Sequence, residues 1–337
     1  MINKSEKEIM SNWIGSSDHP EVSIRCLAFN HEKYIEKTLD SFLMQETNFP
    51  FEVIVHDDAS TDNTVNIIKK YEEKYPNIIR PIYEKENQFS KNDGSIRKIV
   101  TKYVRGKYSA LCEGDDYWTD KNKLQLQYDE LESNPNCMLC VHNTRIYDLS
   151  KKKDVHLFSA QQEKKILEAR EVLIGWNVHT SSFVFRSSLY EKLINFPNIN
   201  KFWFGDYVLL CLALYYGDVV YLPQVMSIYN KNNVQGVTYI KDHSGKNNLV
   251  EKEMIKKFFL EEYNRYTSNK YIEITQDVIH YYELISAYHQ GDCKKIFENN
   301  NYYTILCTLP FSMRARIYLK RYFPNLFDLV KRIKNTH

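Results

Sequence analysis

Three carboxylates crowd together in Cys112-Glu113-Gly114-Asp115-Asp116-Tyr117-Trp118, with a glycine between the first and the other two. Acids held this close repel unless one keeps its proton or a divalent cation sits among them. Mg2+ or Mn2+ shared with phosphate oxygens is a common resident of such a turn. A solvated acidic turn is the plain alternative for the stretch taken alone. Earlier in the chain, Asn30 and the pair Asp57 and Asp58 offer further polar groups. A carboxylate there can accept from a base N–H or a ribose hydroxyl while the later cluster holds a metal against a diphosphate. The set suits a nucleotide diphosphate, although each member alone is also an ordinary turn or cap residue.

The elements that must position these groups repeat one pattern. Val22 to Phe29 reads as a strand ending at Asn30-His31, and Ile35, Leu39, Phe42 and Leu43 follow at helical spacing. Phe51 to His56 is a second strand. Beyond it, Asp57-Asp58-Ala59-Ser60-Thr61-Asp62-Asn63-Thr64 supplies N-cap chemistry for a helix through Val65, Ile68 and Tyr71. Ile78 to Tyr83 gives a third strand, and a helix with Ile96, Val100 and Tyr103 stops near Gly106. The short apolar run Lys107 to Leu111 then delivers the acids at its C-terminal end. Strand and helix alternating roughly every 30 residues predict βαβ units. The expected fold is α/β: a doubly wound, mainly parallel sheet with helices on both faces. Ligands of such sheets bind beyond the carboxyl ends of the strands, where all the polar residues named so far fall.

Farther on, Lys151-Lys152-Lys153 reads as a solvated hairpin turn, Ala169 to Trp176 as a helix and Ser181 to Arg186 as a strand. Phe202-Trp203-Phe204-Gly205-Asp206 then precedes the apolar helix Val208 to Leu214, which ends at Gly217. Asp206 therefore lies at or near a helix N-terminus, where Asp is a favoured cap. From about Asn247 the pattern is helical, rich in Tyr and Phe and without an acid cluster.

Composition bounds the rest. The 337 residues are 43% hydrophobic and 26% charged with a net charge of +2, the balance of a globular protein with no global case for nucleic acid. Met1 to Pro20 holds no apolar core for a signal peptide, and the apolar run Tyr207 to Tyr216 is too short for a bilayer, so a cytoplasmic location is expected. Seven scattered cysteines fit a reducing compartment. The thiols of Cys137 and Cys140 would point to opposite faces of a strand, against a zinc or redox role.

The blocks Val22-Ser-Ile-Arg-Cys-Leu-Ala-Phe-Asn30, Asp57-Asp-Ala-Ser-Thr-Asp-Asn-Thr64 and Glu113-Gly-Asp-Asp116 resemble the nucleotide-sugar-binding blocks of family 2 glycosyltransferases of the GT-A fold. The tail Glu113-Gly-Asp-Asp-Tyr-Trp118 is most similar to bacterial members that build capsule, lipopolysaccharide or other surface glycans. The resemblance covers about Glu21 to Met226. It implies an N-terminal extension over 1–20, a GT-A catalytic domain over 21–240 and a C-terminal helical region over 241–337. It further implies that Ala28 and Phe29, with Asn30, line the nucleobase pocket and that Asp58 binds a uracil-like base. Arg97 matches the arginine of the family's R-N pair and becomes a contact for the donor phosphates, with Lys98 in the asparagine position. Asp115 and Asp116 match the last two acids of the D-x-D-D metal motif, with Glu113 in the first place near the ribose. Asp206 matches the acidic block that carries the catalytic base, and aromatic neighbours could raise its pKa. His142, read as a strand-end residue near the acceptor, and His179, read as a phosphate donor or a packed side chain, are the other candidates. Relatives often carry Tyr-Arg-x-His after the last strand, whereas this chain reads Tyr229-Asn-Lys-Asn-Asn-Val-Gln-Gly236. Lys231 is then the substitute point charge, on a segment expected to be a mobile loop over the donor.

The reading that follows is an inverting, Mn2+- or Mg2+-dependent transfer from a nucleotide-diphosphate sugar, with UDP expected, to a glycan or lipid-linked hydroxyl. A nucleotidyltransferase would need a Gly-rich phosphate loop after the first strand, and Asn30-His-Glu-Lys33 has no glycine. An inactive glycan-binding scaffold is the other alternative, made conceivable by the missing Arg and His. The segment 314–334 carries seven basic residues against one acid among large apolar groups. It reads as a packed helix pair or as a peripheral membrane contact.

Overall fold

The computed structural model describes residues 3–91, 93–175, 178–234 and 249–323. The chain forms two compact units, Met1–Gly245 and Lys246–His337.

The first unit is built on β1 (Val22–Ala28), β2 (Phe51–Asp57), β3 (Ile79–Tyr83), β4 (Tyr108–Leu111), β5 (Tyr117–Trp118), β6 (Cys137–Asp148), β7 (Lys153–Leu157), β8 (Lys165–Ile166), β9 (Val184–Arg186) and β10 (Asp218–Lys231). The main path runs β3-β2-β1-β4-β9-β6-β10-β5. β3, β2, β1 and β4 are mutually parallel and β6 is parallel to β10, while β9 is antiparallel to both β4 and β6. Every residue of β2 is buried, as parallel strands covered on both faces require. Helices α2 (Ile35–Leu43), α3 (Thr64–Lys74) and α4 (Ser95–Tyr103) supply the crossovers, and α5 (Lys123–Ser133), α6 (Ala169–Ile174), α7 (Ser188–Ile194) and α8 (Gly205–Tyr216) follow in the chain. The buried stripe of α2 is the expected one, with Ile35, Leu39, Phe42 and Leu43 all inside. The hairpin between β6 and β7 turns over 149–152, with Lys152 at φ 52, and Lys153, read as part of the turn, already pairs with Asp148.

Two expectations shift. Thr180–Ser182 forms a 3-10 turn, so the strand read from Ser181 begins only at Val184. The expected N-terminal extension packs on the domain from Lys4 onward. Ile9, in the short helix α1 (Glu6–Met10), joins the core, Trp13 meets Phe51 at 5.2 Å and the Tyr75 hydroxyl donates to the Lys4 carbonyl at 3.0 Å.

β10 has the decisive irregularity. Its register against β6 slips between Leu222 and Val225 and again between Val225 and Ser227, around Pro223, which cannot donate to a ladder. Bulges of this kind bend a strand. The end of β10 then pairs with β5, Ser227 opposite Trp118 and Ile228 opposite Tyr117, which brings Asn230 onto the acidic turn.

The second unit is helical over its described residues: Leu249–Tyr266, Ile272–Gln290, Cys293–Glu298, Asn300–Thr308 and Phe311–Tyr322. Leu284, Ile285, Ile296, Leu306 and Ile317 form part of its core. No described helix is long and apolar enough to cross a membrane.

Candidate active site

The floor of the site is made by the ends of β1 and β2. Asn30 takes a left-handed conformation, φ 55, which Asn tolerates better than most residues. Its Oδ1 accepts from the Thr61 backbone at 2.8 Å, and its own N–H donates to Ser60 Oγ at 2.9 Å. His31 N donates to Thr64 Oγ1 at 2.8 Å, so the two loops are laced together. Ala28 is buried and Phe29 partly open beside them. The buried Asp58 carboxylate accepts the backbone N–H groups of Gln88 at 2.6 Å and Phe89 at 3.0 Å. It thereby ties the loop after β3 to the pocket that Asn30 and Phe29 border. Asp57 turns the other way and accepts from Ser60 N at 3.0 Å.

Beside this floor stands the acidic turn. Gly114 N donates to the Leu27 carbonyl at 2.8 Å. A Cβ at Gly114 would lie 2.7 Å from His31 Nδ1 and 3.0 Å from the Leu27 oxygen, so only glycine lets the turn approach β1 this closely. Asp116 is buried. Its Oδ1 accepts the Asn230 N–H at 2.9 Å and its Oδ2 lies 3.8 Å from His179 Nε2. Asp115 Oδ2 accepts from Asn233 Nδ2 at 2.7 Å and faces His31 Nε2 at 4.0 Å. Burial, and then the charges of Asp115 and Asp206, push the Glu113 carboxyl up to about 8. Burial and Asp115 raise Asp116 well above the ordinary carboxylate range. The turn is therefore short of positive charge, the condition a divalent cation relieves. Among the described residues, no group of three or more His, Cys, Asp or Glu is arranged to hold a metal alone. The donor set instead fits a hard cation held by one or two carboxylates and completed by phosphate oxygens.

Asp206 is the second residue of α8 (Gly205–Tyr216), whose N-cap is Phe204. It is thus inside the first turn and does not cap it. Its Oδ1 accepts from Tyr207 N at 2.9 Å and its Oδ2 from the Thr180 hydroxyl at 2.8 Å. Thr180 directly follows His179, whose Nε2 lies 3.8 Å from Asp116, so Asp206 is linked to the acidic turn, and its charge is among those that raise Glu113. Arg97, on α4, abuts the start of the same helix, since a Cβ at Gly205 would lie 3.1 Å from Arg97 Nη2. His179 joins this group. Its Nδ1 accepts from Ser181 N at 3.3 Å, which leaves Nε2 as the protonated nitrogen facing Asp116, and burial lowers its pKa to about 3. It stacks on Tyr229 at 4.3 Å and leans on Phe158 at 5.4 Å.

Two candidates lie elsewhere. His142 is not at a strand end: it sits within β6, fully buried, with Nδ1 2.7 Å from the Asn143 carbonyl. Its face is closed to an acceptor. Lys231 ends β10 with an exposed side chain, and the groups from this segment that touch the acids are Asn230 and Asn233. Gln235 and Gly236, in the expected mobile loop, fall outside the described residues, as does Trp176. Asn230, Asn233, Thr180 and Tyr229 are thus site residues that sequence reasoning did not assign. For Tyr229, Asn230 and Asn233, which follow the slip of β10 against β6, no local pattern in the sequence marks the slip, while Thr180 is placed by its bond to Asp206.

A family model described as Glycosyl transferase family 2 matches residues 23–194, and the chain belongs to that family. An uncharacterized protein of Mycobacterium tuberculosis is 35% identical over 212 residues, 63% of this chain and 59% of its own length. The chain thus spans less than two thirds of that relative. The Escherichia coli UDP-Glc:alpha-D-GlcNAc-diphosphoundecaprenol beta-1,3-glucosyltransferase WfaP is 35% identical over 112 residues, 33% of this chain and 42% of its own. Among solved structures, Staphylococcus aureus TarS 1–349 in complex with UDP-GlcNAc matches with a TM-score of 0.58 at 17% identity, covering 89% of this chain and 87% of that one. The mannosyltransferase PcManGT of Pyrobaculum calidifontis, in complex with GDP-Man and Mn2+, matches with a TM-score of 0.56 at 16% identity, covering 95% and 88%. These likenesses establish the GT-A fold.

Proposed function

We propose that the chain is an inverting glycosyltransferase that moves a sugar from a UDP-sugar to a hydroxyl of a glycan or lipid-linked acceptor in bacterial surface-polysaccharide synthesis. The observation that carries this reading is that adjacent residues link the acidic turn to Asp206, His179 Nε2 lying 3.8 Å from Asp116 and the Thr180 hydroxyl donating to Asp206 at 2.8 Å. Ala28, Phe29, Asn30 and Asp58 receive the nucleoside, Asp58 through the loop it already organises. Glu113 faces the ribose, and Arg97 faces the diphosphate. Asp115 and Asp116 hold a Mn2+ or Mg2+ ion, which when bound neutralises charge on the departing diphosphate. Asp206 removes the proton of the acceptor hydroxyl as that oxygen attacks the anomeric carbon from the face opposite the nucleotide. Configuration inverts in a single displacement. Thr180 keeps the carboxylate aimed, and Phe202, Phe204 and Tyr207, all buried beside it, limit water.

The UDP donor and lipid-linked acceptor find support in the names of WfaP and TarS, and the metal in that of PcManGT. A membrane contact is favoured by the helix Phe311–Tyr322, which carries Arg314, Arg316, Lys320 and Arg321, no acid, and exposed Phe311 and Tyr322. Calorimetry with UDP and Mn2+, paired with a donor-hydrolysis assay, tests the reading. Metal-dependent UDP binding with slow hydrolysis is expected. Binding without any turnover, even with a lipid-linked acceptor, would favour an inactive scaffold, and absence of binding would dismiss the donor assignment.

A further inference from the structure

Behind the acidic turn lies a buried cation that has no carboxylate partner among the described residues. Lys123, the first residue of α5 (Lys123–Ser133), is completely buried. Its Nζ donates to Gln127 Oε1 at 2.7 Å and stands 4.0 Å from the centroid of the Trp118 ring. Burying an ammonium without an anion opposes folding, and here burial lowers the pKa of the amine to about 7. A methionine would fill the same space without that opposition, so the lysine's contacts must account for it.

Those contacts converge. Trp118 follows Asp116 by two residues. Its backbone N–H donates to Ser41 Oγ at 3.1 Å, its indole N–H to the Ser181 carbonyl at 3.0 Å, and its ring meets Phe42 edge-on at 4.7 Å. Gln127 Nε2 donates to the carbonyls of Cys140 at 2.7 Å and Ser182 at 2.8 Å. Both side chains that Lys123 touches therefore end on the 3-10 turn Thr180–Ser182, whose Thr180 holds Asp206. One of them, Trp118, is also the anchor of the acidic turn.

We propose that Lys123 is a positioning residue: by holding Trp118 and Gln127 it fixes the acidic turn relative to the turn that aims Asp206. The proposal rests on the reading of Asp206 as the base for an acceptor hydroxyl. An amino group over an aromatic face that also donates to an amide oxygen defines direction in a way that an alkyl chain does not, most strongly where it is protonated. Displacing the base from the donor by a fraction of an ångström costs rate without touching the nucleotide pocket.

The test compares Lys123→Met, Lys123→Arg and Trp118→Phe in the full chain. Lys123→Met should melt at or above the wild-type temperature and bind UDP with Mn2+ as the wild type does, yet transfer sugar about 10- to 100-fold more slowly in kcat. Lys123→Arg, which keeps charge and donor, should recover part of that loss. Trp118→Phe keeps a ring under the ammonium but loses the bond to Ser181, and should also lose kcat with UDP binding intact. Wild-type kcat in Lys123→Met would overturn the proposal. So would a fall in melting temperature and UDP affinity in step with kcat, because the lysine would then only support the fold. If the wild type neither binds UDP nor transfers sugar, the glycosyltransferase reading fails instead. Acrylamide quenching of Trp118, taken as the difference between each protein and its Trp118→Phe version, still decides the rest. Greater quenching in Lys123→Met supports the hold on the ring, and unchanged quenching refutes it.

Discussion

Asp206→Asn separates the base from the binding site, and its expected size can be worked from the contacts of the carboxylate. Asn can accept from Tyr207 N through Oδ1 and donate to the Thr180 hydroxyl through Nδ2, so both hydrogen bonds made by Asp206 survive in number. The charge in the first turn of α8 is lost, which costs about 0.3–1 kcal/mol through the helix dipole. Against this, Glu113 loses a like charge that raises its pKa, so the net change in stability should stay under about 1 kcal/mol. Chemistry is another matter. Loss of a general base costs about 10²- to 10⁴-fold in rate, or roughly 2.7–5.5 kcal/mol in the barrier. The assay measures sugar transfer to a verified acceptor, with UDP affinity in Mn2+ determined on the same preparation. Donor binding should be retained and kcat should collapse. Transfer near the wild-type rate would show that Asp206 only orders the start of α8, and the base would have to be sought in His179 or in an acceptor-bound group.

Asp116→Ala should lose UDP binding in Mn2+ and transfer together, while the metal-free protein keeps its melting temperature or gains slightly, because a buried and repelled acid has been removed; unchanged UDP affinity would refute the metal assignment. Gly114→Ala forces a Cβ to 2.7 Å from His31 and 3.0 Å from a backbone oxygen, and should cost about 1–3 kcal/mol in urea unfolding; an unshifted midpoint would mean the turn relaxes freely. The Lys123 amine, neutral in the fold above a pKa of about 7 but protonated in the unfolded chain up to the ordinary lysine value of 10.5, makes the unfolded state bind the extra proton across that window. Stability attributable to this residue should therefore rise with pH from 7 towards 10.5 by at most about 1.4 kcal/mol per unit. The lead of Lys123→Met over wild type in melting temperature should accordingly shrink as pH rises, and a constant lead would refute the burial argument. Arg316→Glu with Arg321→Glu should weaken flotation with anionic vesicles by about 1 kcal/mol for each basic charge removed without changing UDP affinity; equal flotation would leave this helix as packing alone.

The parallel half of the sheet was legible because its signals are local. Val22–Ala28 and Phe51–Asp57 are apolar runs of strand length, each closed by residues that cannot continue it, and α2 shows its helical period in four large side chains. The acidic turn was legible for the same reason: three carboxylates and a glycine within one turn have few uses, and the glycine is required by the approach to Leu27. The place of Asp206 at the start of a helix was legible from its position before an apolar run. Its role as a non-capping residue was not, because Asp two residues before an apolar run looks the same whether it caps the helix or lies inside it. His142 was misplaced because β6 runs for 12 residues through the core, and nothing local to Cys140-Val-His142 tells a strand's middle from its end.

The part that stayed hidden is the contribution of β10, and its chemistry differs from what a lost arginine and histidine would imply. Tyr229-Asn-Lys-Asn-Asn looks like a loop that has shed its charges, yet Asn230 donates its backbone N–H to Asp116 and its amide to the Asp115 carbonyl at 2.6 Å, while Asn233 reaches the Asp115 carboxylate. These are neutral donors spent on the acids themselves. They hold the turn in shape without cancelling its charge; burial, and then the neighbouring acids, push Glu113 and Asp116 towards their protonated forms, against the Asn230 bond that favours the Asp116 carboxylate. If the site takes a diphosphate as proposed, its countercharge would come from Arg97 beside Gly205 and from a cation on the turn. On that reading, a site whose fixed donors are amides would lean on a bound cation more than one that carries a guanidinium, because amide donors order the ligand without offsetting its charge.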